Sequence, residues 1–176
     1  MSKVVYLVGS LRNPAIPEIG NQLREAGYEV FDDWFAGGEI ADNAWRDYEK
    51  ARGHTYTEAL KGYAAKHVFD FDKHHLDRAD IAVLVLPAGK SAHLELGYMA
   101  GKGKKTYVLF DGTPERYDVM YQFATGVATS VEELIVEMTQ EEKPRTVAQI
   151  SFDFLKDYKA PDVSDPRYRI HRKGQE

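Results

Sequence analysis

The chain contains no cysteine. Disulfide bridges, thiol nucleophiles and Cys-ligated zinc are therefore excluded. No apolar run approaches the roughly 20 residues that span a bilayer. The opening "MSKVVYLVGSLRNP" passes straight into a strand, without an apolar signal-peptide core and cleavage site. A soluble, cytoplasmic protein with no membrane partner is the expectation. Positive charge is not in excess: 23 Lys and Arg stand against 28 Asp and Glu, a net charge of −5. A nucleic-acid polymer, which recruits basic surfaces, is not an expected partner. A small anionic ligand stays compatible, because a local pocket can differ from the net charge.

What is present suits a packed domain. The 176 residues are 43% hydrophobic and 12% aromatic, enough to bury a core. "KVVYLVGS" (3–10) reads as a buried strand ending at glycine. Pro14 and Pro17 punctuate a loop, Ile19, Leu23 and Ala26 recur at helical spacing, and Gly27 stops the helix. "YEVFDD" (28–33) is the second strand. Strand, helix and strand in so short a span predict a βαβ unit and a parallel sheet. Residues 35–66, broken by glycines, predict one or two helices around a mobile loop that covers a site. "HVFDFDKHHLDRAD" (67–80) is read as a helix leading into "IAVLVLP" (81–87), the strongest strand. A helix over about 91–102, a strand over about 105–110, the short piece "GVATS" and the helix "VEELIVEMTQ" follow.

The fold class expected is a doubly wound α/β domain with a parallel sheet of about five strands, flavodoxin- or Rossmann-like. It spans residues 1–143, and residues 144–176 form a C-terminal helix and polar tail. Such sheets bind ligands at the carboxyl ends of their strands. That rim collects Gly9, Ser10, Asp32, Asp33, Pro87 to Ser91 and Asp111.

The common cofactor motifs fail. "VGSLRN" after the first strand is not G-x-G-x-x-G. In "GYMAGKGKKT" the glycines follow a helix, so they read as a helix stop and the lysines as solvated charge at its negative end. "GSLRNPAIP" lacks the Ser/Thr run that a flavin phosphate needs. His74 and His75 are adjacent and diverge on a helix, and His93 is alone, so no metal site is expected. No cofactor is expected either, and no G-x-S-x-G elbow is present.

Two acids carry the chemical reading. Ser91 is a candidate N-cap. From that cap, a capping-box acid would stand at Leu94, one place before Glu95. Glu95 is then either a mild stabiliser of the positive helix end or a nucleophile whose charged form that end favours. Asp72, just ahead of a helix, is either a cap or a second functional carboxylate. Two carboxylates at one rim suit glycosidic bond cleavage, one attacking the anomeric carbon and the other moving protons. Leu94 and Leu96 are expected to pack and keep Glu95 aimed.

The run "ADIAVLVLPAGKSAHLELGYMAGKGKKTYVLF", with "VVYLVGSLRN" at the start, resembles the nucleoside 2-deoxyribosyltransferase family, which includes 2′-deoxynucleoside 5′-monophosphate N-glycosidases. The resemblance covers roughly residues 3–136. It implies that Glu95, in the E-L-G-Y motif, is the nucleophile that forms a covalent glycosyl ester. It implies that Asp72, or Asp70 beside it, is the second acid, and that Tyr6 hydrogen bonds Glu95. Tyr6 read from the residues alone is equally a core tyrosine. Gly9, Ser10 and Arg12 would line the base or a phosphate. Ser91, with Lys90 and His93, would receive a 5′-phosphate, because the acid that binds a free 5′-hydroxyl in transferases is missing there. The implied partners are a nucleoside or nucleotide and a free nucleobase. The implied assembly is a homodimer or higher homo-oligomer, with residues 111–126 shared across an interface. The competing reading is a non-catalytic nucleotide-binding or sensing domain on the same fold.

Overall fold

The computed structural model of the chain describes residues 2–114 and 118–139. The C-terminal helix and tail expected over 144–176 lie outside the described residues. Five strands form one sheet: β1 (Val4–Val8), β2 (Glu29–Phe31), β3 (Ile81–Val85), β4 (Lys105–Leu109) and β5 (Gly126–Ala128). All neighbours run parallel, in the order β2-β1-β3-β4-β5. This is the flavodoxin-like winding, and it matches the fold read from the sequence. The chain steps from β1 outward to β2, then crosses back past β1 to β3. The direction of winding therefore reverses between β1 and β3, where a doubly wound sheet opens its ligand crevice.

Six helices complete the described fold: α1 (Ile16–Glu25), α2 (Ala41–Ala51), α3 (Tyr56–Ala59), α4 (Tyr63–Arg78), α5 (Lys90–Gly101) and α6 (Val131–Thr139). Parallel strands are buried on both faces, so β1 and β3 read as unbroken apolar runs. One face packs Val5, Leu7, Ile81 and Val83 against Ile16, Ile19 and Leu23 of α1 and Leu134 and Met138 of α6. The other packs Tyr6, Val8, Phe31, Leu84 and Val108 against Leu76 of α4 and Ala92, Leu96 and Met99 of α5. The segment after β2 holds a 3-10 turn (Asp33–Gly37), α2 and α3, which accounts for the helices expected between 35 and 66.

Helix α5 ends as its glycines predict. Gly103 takes φ of 72°, its amide bonds the Ala100 carbonyl at 2.9 Å, and the Lys104 amide bonds the Met99 carbonyl at 3.1 Å. That is a Schellman closure, which needs the left-handed conformation at this one position. The lysines beside it are not merely solvated. Lys104 Nζ donates to the Ala79 carbonyl at 2.7 Å, and Lys102 reaches Asp77.

A Cβ at Gly103 would meet nothing within 4 Å, so its only obstacle is the backbone angle. Gly103→Ala is expected to lower stability by about 1 kcal/mol in urea unfolding. Gly101→Ala, inside α5 with equally open space, is expected to raise it by a few tenths to about 1 kcal/mol.

Candidate active site

The residues expected to carry chemistry come from three elements on one face of the sheet. Tyr6 sits in the middle of β1 and is 1% exposed. Asp72 lies within α4, and Glu95 lies in the second turn of α5. Two local expectations are corrected. Asp72 does not precede or cap its helix, because α4 starts at Tyr63 with Gly62 as its N-cap. Ser91 does not cap α5: the N-cap is Gly89, and Ser91 is the second helical residue. The reason is visible at Gly89, whose carbonyl accepts both the His93 amide, at 3.4 Å, and His93 Nδ1–H, at 2.8 Å. A helix that starts there places Glu95 even farther from a capping-box position than the Ser91 register did.

Both acids have partly buried side chains between α4 and α5. Burial, and then the charge of Asp72, push the Glu95 carboxyl up to about 7. Burial also raises Asp72, against a hydrogen-bonding interaction with the Tyr6 hydroxyl that holds it down; the resemblance implied that this hydroxyl serves Glu95, but Glu95 acts on Tyr6 through its charge. Tyr6 is pushed far above its ordinary value by burial, then by the charges of Glu95 and Asp72 and by the same interaction with Asp72. The influences run both ways, so the three groups form one coupled cluster. Among the described residues no cation contributes to any of the three. Asp72 Oδ1 is buried without a hydrogen-bond partner among the described residues. An acceptor in that state is normally satisfied by water or by a ligand.

Chemically, a Glu95 carboxyl raised to about 7 beside a raised Asp72 lets the pair carry one proton and one negative charge. One carboxylate is then free to attack, and the other carries a proton to give. That division of labour follows from like charges in a poorly solvated cleft.

The other expected residues stand at the rim without joining the cluster. Gly9 and Ser10 follow β1 and are half-buried. Ser10 Oγ accepts the Arg12 amide at 3.2 Å, and the Arg12 guanidinium reaches Asp42 at the start of α2 at 3.9 Å. Gly9 has no room for a side chain, since a Cβ would come within 2.7 Å of Ile16 Cδ1. Ser91 is exposed in the first turn of α5. His93 stacks on Tyr121 and lies 3.0 Å from its hydroxyl through Nε2. With Nδ1 donating to Gly89, Nε2 is left to accept from Tyr121. Asp70, the alternative to Asp72, is exposed and pairs with Lys66. Asp32 is taken by Arg24, and Trp34 Nε1 donates to the Leu7 carbonyl at 2.8 Å, so both brace the loop after β2. Of the two leucines around Glu95, only Leu96 packs; Leu94 is 76% exposed.

Sequence reading missed the clasp that holds α4 to α5. Asp77 accepts from Lys73 at 2.5 Å, and its other oxygen accepts from Tyr98 and Lys102, each at 2.5 Å. Both ammonium groups lie over the Tyr98 ring, at 5.4 and 5.1 Å from its centre. These hydrogen bonds, that of Lys102 first, hold Asp77 well below the usual carboxylate range. The available signal was spacing: Asp77 follows Asp72 by five positions, Tyr98 follows Glu95 by three, and Lys73 sits four before Asp77.

Among the described residues no group of His, Asp or Glu is placed to hold a metal ion, and no helix is long and apolar enough to cross a membrane.

No family model and no curated protein sequence matches the chain. Solved structures do. A 2-deoxyribosyltransferase from the psychrotolerant bacterium Bacillus psychrosaccharolyticus superposes with a TM-score of 0.53 at 16% identity, over 84% of this chain and 95% of that one. A CMP N-glycosidase of Clostridium botulinum gives a TM-score of 0.48 at 15% identity, over 78% of this chain and 100% of that one. The chain shares the fold of the transferase.

The raised Glu95 carboxyl has a consequence for stability. Its folded-state value of about 7 lies above the ordinary 4.5. The associated stability is fully present below the unfolded value and is lost as pH rises through the folded one. At full effect the loss is on the order of 3 kcal/mol. Glu95→Gln removes the titration. Its Tm is expected to exceed that of the unaltered protein at pH 8, with the gap closing toward pH 5 in thermal melts.

Proposed function

We propose that this protein cleaves the N-glycosidic bond of a 2′-deoxynucleoside or its 5′-monophosphate. The observation that carries the reading is the coupled Glu95–Asp72–Tyr6 cluster: two carboxylates and a phenol, with no cation acting on them among the described residues, at the switch point of the sheet. The E-L-G-Y resemblance and a fold shared with a 2-deoxyribosyltransferase support it.

In this mechanism the proton that the pair shares, held on Glu95 in the free protein, sits on Asp72 in the reactive form, and the ionised Glu95 attacks C1′ of the sugar. The bond from C1′ to the base nitrogen breaks, and its electron pair leaves with the base. Asp72 delivers its proton to the departing base, and the sugar remains as an ester on Glu95. A second nucleobase, or water, then attacks C1′. Glu95 departs as carboxylate, and Asp72 takes back the proton the acceptor loses. Tyr6 hydrogen bonds Asp72 and fixes the donor's direction. The reading includes a cytoplasmic homodimer or higher homo-oligomer that needs no cofactor. At the first turn of α5, exposed backbone N–H groups and Ser91 suit a 5′-phosphate.

The deciding experiment incubates the protein with pooled deoxynucleosides and their monophosphates, with and without a second free base, and separates the products by chromatography. Released base or an exchanged nucleoside is expected, with none from Glu95→Ala and a loss of about 10²- to 10⁴-fold from Asp72→Asn. A panel that yields neither product from the unaltered protein overturns the reading in favour of a binding module. Ser91→Ala should raise KM for a monophosphate and leave that for the free nucleoside unchanged.

The pH dependence follows from the shared proton. Above about 7 Glu95 has also ionised, so the pair has no proton left to give. Below the raised titration of Asp72 both acids are protonated and no nucleophile remains. A bell-shaped kcat/KM profile is expected, with its basic limb near neutrality.

A further inference from the structure

Tyr6 needs a wall on its outer side. Its cross-strand neighbour in the β1–β2 register is Phe31, and the two rings lie 5.1 Å apart. Among the described residues no strand lies beyond β2, which forms the edge of the sheet and has only three residues. Phe31 is instead covered from α4. The His75 imidazole lies flat against it, 3.8 Å between ring centres and 9° between planes. Phe71 closes the group, 5.8 Å from Phe31 and 4.7 Å from His75. His75 follows Asp72 by three positions, so one face of α4 carries both the acid and the ring that backs Tyr6.

We infer that His75 is a positioning residue for the proposed reaction: by stacking on Phe31 it holds the Tyr6 ring in place beside the two acids. The inference rests on the reading of the cluster given above. It goes beyond that reading in assigning a role to a side chain that touches neither acid nor substrate. A flat aromatic ring is what the stack requires, and imidazole meets it while staying neutral. Burial, His74 and Arg78 hold His75 below its ordinary value, opposed by Asp33 from the turn after β2. Its Nδ1 is buried with no hydrogen-bond partner among the described residues, so no polar contact at that atom competes with the stack for the ring's orientation.

Two variants separate stacking from bulk stability. His75→Phe keeps a flat ring, and His75→Ala removes it. Removing the wall frees Tyr6 to tilt, and Asp72 then loses the interaction that holds it down. In His75→Ala, kcat is expected to fall about tenfold with KM within twofold, and the acid limb of the pH profile to move to higher pH. In His75→Phe, kcat and both limbs are expected to stay within twofold and a few tenths of a pH unit of the unaltered protein. A readout independent of turnover is the Asp72 carboxyl carbon shift followed by NMR through a pH titration. It should titrate higher in His75→Ala and unchanged in His75→Phe. Melting temperatures identify a variant that fails to fold, and His75→Phe then carries the comparison against Phe31→Ala, which removes the same wall from the other side. An unmoved Asp72 titration in a folded His75→Ala overturns the inference, as does a His75→Phe that shifts it equally. If the unaltered protein turns over nothing, the functional reading fails on its own terms, while the titration still decides whether His75 sets Asp72.

Discussion

Everything in the candidate site depends on holding two like charges close together in a cleft that water only partly reaches. Among the described residues neither acid has a cationic partner to absorb the cost. The result is a proton retained to about neutrality on Glu95, and an Asp72 whose charge raises Glu95 and is itself restrained by Tyr6. Such an arrangement works against folding. It persists because the helices bearing the acids are fixed from outside the cleft, by the Leu96 and Met99 packing of α5, the Leu76 anchor of α4 and the Asp77 clasp between them. The clasp gathers its cations around Asp77 and leaves the neighbouring acids without one. Charge is thus segregated along the α4–α5 seam, with a compensated carboxylate farther from the rim and uncompensated ones nearer it.

The fold was legible because its signals are local. β-branched runs marked β1 and β3, Gly27 and Gly103 marked helix ends through the one backbone conformation that glycine favours, and strand–helix alternation forced a parallel sheet. Helix starts were less legible. The serine at 91 looked like a cap, but Gly89 was chosen by a carbonyl that satisfies His93 twice. Likewise α4 begins four residues before its expected start, because Gly62 and the short α3 ahead of it set the entry.

The site was legible only in part. Glu95, Asp72 and Tyr6 were named from pattern and resemblance, and the structure brings these three into mutual influence. What pattern could not supply is environment. The absence of a cation beside them among the described residues is a property of how α4 meets α5, and no window of sequence contains it. The backing of Tyr6 was invisible for the same reason: Phe31 and His75 stand 44 positions apart, and beside His74 the histidine invited only a question about metals. Ser10, Arg12 and His93 engage loop and helix-end neighbours instead of the acids.

The order of elements along the chain gives the β-sheet an asymmetry in how its two faces are completed. Tyr6, Asp72 and Glu95, with the rings and clasp around them, all lie before residue 103. The opposite face, where Val5 and Leu7 of the same first strand are seated, is finished only by Leu134 and Met138 of α6. A fragment ending after β4 would hold every group of the cluster, yet it would keep only the α1 share of the packing on the opposite face and lose that of α6. The cluster is therefore not a separable module. Its geometry is underwritten by a helix that never approaches it, through strands that belong to both faces at once.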